Sequence, residues 1–207
     1  MAFTFFFRDQ HVLDLVVRHA VPTFAGRSRV RIWDAGCAMG QEPYSLAILL
    51  AEAMGYFAFN NLRIEASDLD ECGMFGPIVA AGVYAWEELE RVPAPLFEKY
   101  FEPHEARRYR LVDRVRSRVS FRHHDLLSLR AFGEAFNLIV CKNVLLHFQP
   151  AERAAVVRMF HAALASDGFL ATEQTQKLPE EVGLLFERVA CDGQLFRKVP
   201  VAGVAAA

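Results

Sequence analysis

The chain has 207 residues, 53% of them hydrophobic, and a formal net charge of −2. That describes one medium-sized domain over 1–207 with enough apolar residues for a substantial core, and it excludes a global electrostatic pull toward DNA or an anionic membrane. The four cysteines, Cys37, Cys72, Cys141 and Cys191, form no Cys-x-x-Cys pair and have no metal-ligand spacing, so they are expected as reduced, mostly buried thiols of a cytoplasmic protein without a metal site.

The apolar start of the chain is too short for a secretion signal and has no basic leader. Val12, Leu15, Val16 and His19 recur at helical spacing, which predicts a helix over 9–21 stopped by Pro22. Val30, Ile32 and Trp33 form a β-rich run, followed by a turn carrying Gly36 and Gly40 and a helix opened by Gln41, Glu42 and Pro43. A strand, a glycine turn and a helix are the usual cradle for a nucleotide-like cofactor. The Gly-x-x-x-Gly spacing is not that of a dinucleotide site, and tight packing also demands glycine, so the turn alone leaves both readings open. The apolar run over 45–59 is interrupted by Glu52 and matches a core helix, with no membrane insertion expected.

A second strand is expected over 62–68, then a helix after Asp70 ending near Gly82. Residues 92–103 read as irregular or short-helical, and the partial alternation over 108–118 argues strand. Further strands are expected over 119–125, 136–143 and 168–173, with a helix over 151–164. Asp192-Gly193 between two β-like runs signals a two-residue hairpin, and the Ala/Val-rich tail over 199–207 is expected to fray. Strands alternating with helices and closed by a hairpin imply a three-layer α/β sandwich with a mixed sheet. A small antiparallel subdomain is expected around 97–118.

In such a sheet, ligands bind beyond the carboxyl ends of the strands, where the strand order reverses. Asp34, Gly36, Gly40 and Glu42 follow the first strand, Asp68 and Asp70 the second, Asp125 the third, and Lys142 with Asn143 the fourth. Acidic groups at three strand ends suit a ligand with ribose hydroxyls and positive charge, and suit a pyrophosphate poorly. S-adenosylmethionine has both features. Asp68 is the natural acceptor for the ribose diol, with Asp70 nearer the following helix as its cap. Asp125 is balanced between ligand binding and capping the turn before Leu126 and Leu127.

Five ordered elements carry a resemblance. They are Thr4-Phe5-Phe6-Phe7-Arg8, residues 35–45 with Gln41-Glu42-Pro43-Tyr44-Ser45, residues 66–70, residues 124–127, and residues 141–148 with Lys142-Asn143-Val144. Together they resemble the CheR-type chemotaxis methyltransferases, from residue 4 to about 198. The resemblance implies a Rossmann-like class I methyltransferase sheet with an inserted β-subdomain, and S-adenosylmethionine as cofactor with S-adenosylhomocysteine as product. It implies methylation of receptor glutamates, so the expected partner is a chemoreceptor cytoplasmic domain or another acidic protein segment. It places Thr4, Arg8, Glu42, Asp68, Asp125, Leu126, Lys142 and Asn143 around the cofactor, beside Gly36 and Gly40. Against the family pattern, Gln41 replaces a glutamate, Lys142 an arginine, Ala2 an asparagine, and His147 the tyrosine near the transferred methyl. The resemblance also implies a basic helical N-terminal domain before the Thr4 element, and this sequence, which starts near that element, is expected to be without it.

Two residues are expected to act in chemistry. Arg8 suits a bidentate grip on the carboxylate of acceptor or cofactor, against the plainer alternative of pairing with Asp9. His147 either hydrogen-bonds the acceptor in the tyrosine's place or is a core residue among Leu145, Leu146 and Phe148. Phe5, Phe6 and Phe7 read as core or lid packing around the cofactor, with a partner-binding surface as the alternative. Arg107, Arg108, Arg110, Arg114, Arg116, Arg118 and Arg122 form either a solvated edge strand or a surface for an acidic partner, an acidic protein segment ahead of RNA. The leading function is thus a protein-glutamate O-methyltransferase. The alternatives are a non-catalytic sensor or scaffold for the same cofactor, and a methyltransferase for a small molecule or RNA.

Overall fold

The computed structural model describes residues 4–174 and 177–200. After α1 (Gln10–His19), the chain forms β1 (Val30–Ala35), α2 (Gln41–Asn60), β2 (Leu62–Asp68) and α3 (Phe75–Ala81). An insertion follows, comprising β3 (Val83–Ala85), α4 (Trp86–Leu89), α5 (Ala94–Tyr100), β4 (Phe101–Glu105), β5 (Arg108–Leu111) and α6 (Asp113–Arg116). The main sheet resumes with β6 (Val119–His123) and β7 (Phe136–Cys141), then α7 (Pro150–Ala163), β8 (Leu164–Thr172), β9 (Phe186–Arg188) and β10 (Leu195–Lys198). Its strand order is β6-β2-β1-β7-β8-β10-β9, parallel except where β10 runs antiparallel to β8 and β9. No described helix is long and apolar enough to cross a membrane.

Period-two alternation in the central strands builds the expected three layers. Ile32, Leu138 and Val140 join the core formed with α1, α2 and α3, while Trp33, Ile139 and Cys141 join the core formed with α7. The strand order reverses at β1, which lies between β2 and β7. That reversal opens the crevice in which ligands bind.

The insertion starts earlier than sequence suggests, since its small sheet, ordered β3-β5-β4, begins at Val83. Its apolar side is continuous with the main core: the Phe6 ring lies 5.0 Å from Tyr84 and 5.5 Å from Phe101, edge to face. Residues 108–118 are not one strand. Leu111 and Val115 are both buried, and their helical spacing turns the chain into α6 after β5. The arginine-rich β5 is moreover the middle strand of its sheet, not an edge.

Two further expectations are corrected. Asp192 and Gly193 do not form a two-residue hairpin, because Val189 N–H bonds the Leu195 carbonyl and leaves a longer loop between. The loop's polar groups have tertiary partners: the Asp192 carbonyl accepts from Gln174 Nε2 at 2.7 Å, and the Gly193 carbonyl from Arg188 Nε at 2.9 Å. Cys37 and Cys141 are buried as expected, but Cys72 and Cys191 are exposed. Ala2 and residues 201–207 of the expected frayed tail lie outside the described residues, while Val199 N–H bonds the Leu185 carbonyl at 2.9 Å.

Candidate functional site

At the end of β1 the chain turns at Gly36, whose φ of +101° is one that side-chain-bearing residues rarely adopt. A Cβ there would lie 2.1 Å from Val144 Cγ2. The Gly36 and Cys37 N–H groups donate to the Ser67 carbonyl at 2.7 and 3.0 Å, locking the turn to the end of β2. Gly40 serves a different purpose. A Cβ on it would meet the Tyr84 hydroxyl at 2.8 Å, and that hydroxyl donates to the Met39 carbonyl. It therefore packs against the inserted sheet and does not line the cavity, contrary to its expected cofactor contact.

A cavity of about 550 Å³ opens beyond the carboxyl ends of β1, β2 and β7. Thr4, Arg8, Gly36, Glu42, Asp68, Asp125, Leu126, Lys142, Asn143 and His147 all line it. Its size is that of a small-molecule site. Residues scattered from the N-terminal segment to the loop after β7 thus converge at the reversal in strand order.

The charges there are arranged tightly. The Lys142 side chain is fully buried, 2.9 Å from Glu42 Oε2, and donates to the Arg8 carbonyl at 2.8 Å. It therefore ties the N-terminal segment to α2, and Arg8 itself lies 4.0 Å from Asp9. Behind the wall, Asp34 is 0% exposed, and neither carboxyl oxygen has a hydrogen-bond partner among the described residues. Burial pushes its pKa well up, Glu42 and Asp68 push it further, and Lys142 opposes them. Glu173, just past β8, is also buried. Its Oε2 accepts from Asn143 N–H at 3.2 Å, and burial raises its pKa in the same way.

The Gln-Glu-Pro-Tyr-Ser element divides its labour. Glu42 faces the cavity, whereas Tyr44 is buried and donates to the Val79 carbonyl. Ser45 Oγ accepts from Phe7 N–H at 2.8 Å and donates to the Gln41 carbonyl at 2.6 Å. Phe6 and Phe7 are core residues, as that bond requires. Asp70 caps the start of α3, its carboxylate accepting from Met74, Phe75 and Gly76 N–H. Asp68 accepts from Ala38 N–H and Leu69 N–H, both at 2.8 Å, one on each oxygen. Each oxygen keeps a lone pair for a ligand hydroxyl. Asp125 caps the turn, its Oδ1 accepting from Leu127 N–H at 2.8 Å, and it also lines the cavity. His147 is exposed on the cavity rim, so the core reading of that residue is wrong.

Sequence reasoning missed part of the wall. Leu69, Leu127 and Leu146 line the cavity while remaining 42–43% exposed, and Ser67, His124 and Phe148 join them. The available signal was an apolar residue immediately after Asp68, on a loop where burial by the fold alone is not expected. Glu173 gave no local signal, because only the pairing of β7 with β8 brings it to Asn143.

These residues fit S-adenosylmethionine. Asp68 offers acceptors for a diol, the exposed leucines offer apolar surface for a base, and the unpartnered Asp34 carboxyl with Glu42 favours positive charge. A family model described as the CheR methyltransferase, SAM binding domain, matches residues 2–192. Chemotaxis protein methyltransferase 2 of Pseudomonas aeruginosa is 34% identical over 171 residues, covering 80% of this chain and 59% of that protein. Chemotaxis protein methyltransferase 1 of the same organism is 30% identical over 209 residues, covering 94% and 73%. A probable chemotaxis protein methyltransferase of Rhizobium etli is 28% identical over 194 residues, covering 90% and 72%. The chain thus spans from 59% to 73% of these relatives' lengths. Among solved structures, N-methyltransferase NodS from Bradyrhizobium japonicum, in complex with S-adenosylhomocysteine, aligns with a TM-score of 0.52 at 15% identity, covering 92% of this chain and 87% of that one. Magnesium protoporphyrin IX methyltransferase from Synechocystis, with bound SAM, aligns at 0.50 and 17% identity, covering 93% and 80%. At such identities the likeness is one of fold.

Proposed function

Since this chain belongs to the CheR methyltransferase SAM-binding-domain family, we propose that it transfers a methyl group to glutamate side chains of a protein, with chemoreceptor cytoplasmic segments as the acceptor. Its cofactor is S-adenosylmethionine and it is a methyltransferase domain. The observation that carries the finer reading is the placement of Arg8 on the same cavity wall as Glu42, Asp68 and Asn143. A guanidinium beside an otherwise acidic cavity is suited to an incoming carboxylate.

When bound, the cofactor supplies a methyl group on a cationic sulfur that departs as a neutral thioether. A glutamate carboxylate is ionised at neutral pH, so the chain need not supply a general base. Its residues contribute orientation and exclusion of water. Glu42 is held by Lys142 and keeps a fixed negative charge near the cavity. The buried Lys142 side chain also fixes the Arg8 backbone, so the charge that grips the acceptor rests on the element that holds the cofactor wall. His147 on the rim is the hydrogen-bonding group beside the entering acceptor, the role expected of it from the family's tyrosine.

The test is incubation with methyl-labelled cofactor and a receptor cytoplasmic fragment. Base-labile label on glutamate is the expected result. Tight cofactor binding with no label on any receptor fragment would overturn the proposal in favour of a sensor or scaffold.

A further inference from the structure

Far from the cofactor cavity, at the amino ends of β2 and β6, three arginines gather around the last turn of α2. Arg63 Nη1 and Arg118 Nη1 donate to the same oxygen, the Asn60 carbonyl, at 3.1 and 2.8 Å. The Arg114 guanidinium lies 4.8 Å from the centre of the Tyr56 ring and 5.6 Å from that of Phe59. Among the described residues none of the three forms an ion pair with a carboxylate. Glu52, which feels the Arg114 charge, is bound by Lys99 Nζ at 2.6 Å and by the Tyr100 hydroxyl. The Nε atoms of Arg114 and Arg118 are buried without a hydrogen-bond partner. Burial, followed by the Arg63 and Arg114 charges, holds Arg118 below the usual guanidinium range, with Tyr56 acting in the opposite sense. Three like charges close together, Arg114 and Arg118 half-buried and none of the three in an ion pair among the described residues, raise the energy of the free protein.

The same place exposes two aromatic rings. Gly55 breaks α2 with φ 74° and ψ 173°, immediately before Tyr56 and Phe57. Tyr56 is left 59% exposed and Phe57 85% exposed, an unusual position for an apolar side chain with core available nearby.

We propose that Arg63, Arg114 and Arg118, with Tyr56 and Phe57, form a docking surface for an acidic protein segment that carries an apolar side chain among its carboxylates. Carboxylates supply the missing counter-charge through charge-assisted hydrogen bonds, and the apolar residue covers Phe57. The surface lies at the opposite ends of the strands from the cavity, about 20 Å away along β2 by strand rise. A segment bound there leaves the cofactor cavity open. The proposal stands whether or not the methyl acceptor is a receptor.

The experiment uses the full chain and a short fluorescein-labelled peptide of repeated Glu-Glu-Leu-Asp units, read by anisotropy at low salt. Binding is expected to weaken about tenfold in the Arg114→Gln/Arg118→Gln double variant, and to fall steeply as salt rises. Phe57→Ser is expected to weaken it severalfold with the same salt slope. That exposed substitution leaves the fold intact, so it guards against misfolding of the arginine variant. Calorimetric affinity for S-adenosylhomocysteine is expected to stay unchanged in both variants. The proposal is overturned if peptide binding is absent or indifferent to both variants. It is equally overturned if inorganic phosphate or a single-stranded oligothymidylate displaces the peptide at lower concentration, since the surface would then serve a small anion or a nucleic acid.

Discussion

The two ends of the main sheet carry opposite charge. At the carboxyl ends, Glu42, Asp68 and Asp125 line a cavity, Asp34 and Glu173 are buried close to its wall, and the buried cation Lys142 is already engaged by Glu42. At the amino ends, Arg63, Arg114 and Arg118 crowd one carbonyl and two rings with no carboxylate paired to them among the described residues. A net charge of −2 conceals this separation. The comparison teaches that summed charge constrains neither end, because each ligand responds to a local field over distances near the Debye length.

The cavity end can be broken most severely at its turn. Gly36→Ala forces a Cβ to within 2.1 Å of Val144 Cγ2 at a φ of +101°. Destabilisation of about 3 kcal/mol is expected, with loss of cofactor binding, measured by denaturant unfolding and calorimetry. Next in size is Lys142→Met, which leaves Glu42 part-buried without its cation and releases the Arg8 carbonyl. A loss of about 2–3 kcal/mol is expected, of which the Glu42→Gln/Lys142→Met pair recovers part.

Asp34 sharpens the comparison without breaking the fold. Its folded pKa lies above the unfolded value near 4. The stability it contributes is therefore fully present below that value and is lost as pH rises through the folded pKa. Asp34→Asn removes this loss, so the free variant is expected to be more stable than the parent at neutral pH. Cationic cofactor favours the ionised carboxyl, so binding to the parent releases protons, detectable in buffers of different ionisation enthalpy. In the variant that release vanishes and affinity falls, by about tenfold. The smallest expected effect is at the rim. His147→Tyr leaves cofactor affinity unchanged and alters only the turnover of acceptor, because the side chain is exposed and anchors no wall.

Much of the site was legible because its residues sit at strand ends, where local pattern already announces position. Asp68 and Asp70 are alike in kind and only two residues apart, yet their division into cavity wall and helix cap followed from which stood nearer α3. Glu173 and the exposed leucines were not legible. Glu173 reaches Asn143 only through strand pairing, and an exposed leucine looks like a core leucine until the fold leaves it uncovered. Arg114 and Arg118 were visible as part of a cluster and Arg63 was not, and of the two readings held for that cluster the edge strand fails, since β5 is the middle strand of its sheet. Alternation over a short arginine-rich run cannot distinguish a strand from a strand turning into a helix.

By itself, the sequence determined the layered α/β class, the glycine turn, the acidic strand ends and the family. These depend on side-chain period, backbone freedom and local order, all properties of neighbouring residues. Tertiary structure alone decided that Gly40 packs against Tyr84 while Gly36 opens the cavity, that Lys142 is buried against Glu42, and that His147 faces solvent. It also decided that Asp34 lacks a partner and that three arginines share the end of α2. Burial and pairing are relations between residues distant along the chain, and only the packed sheet brings them together.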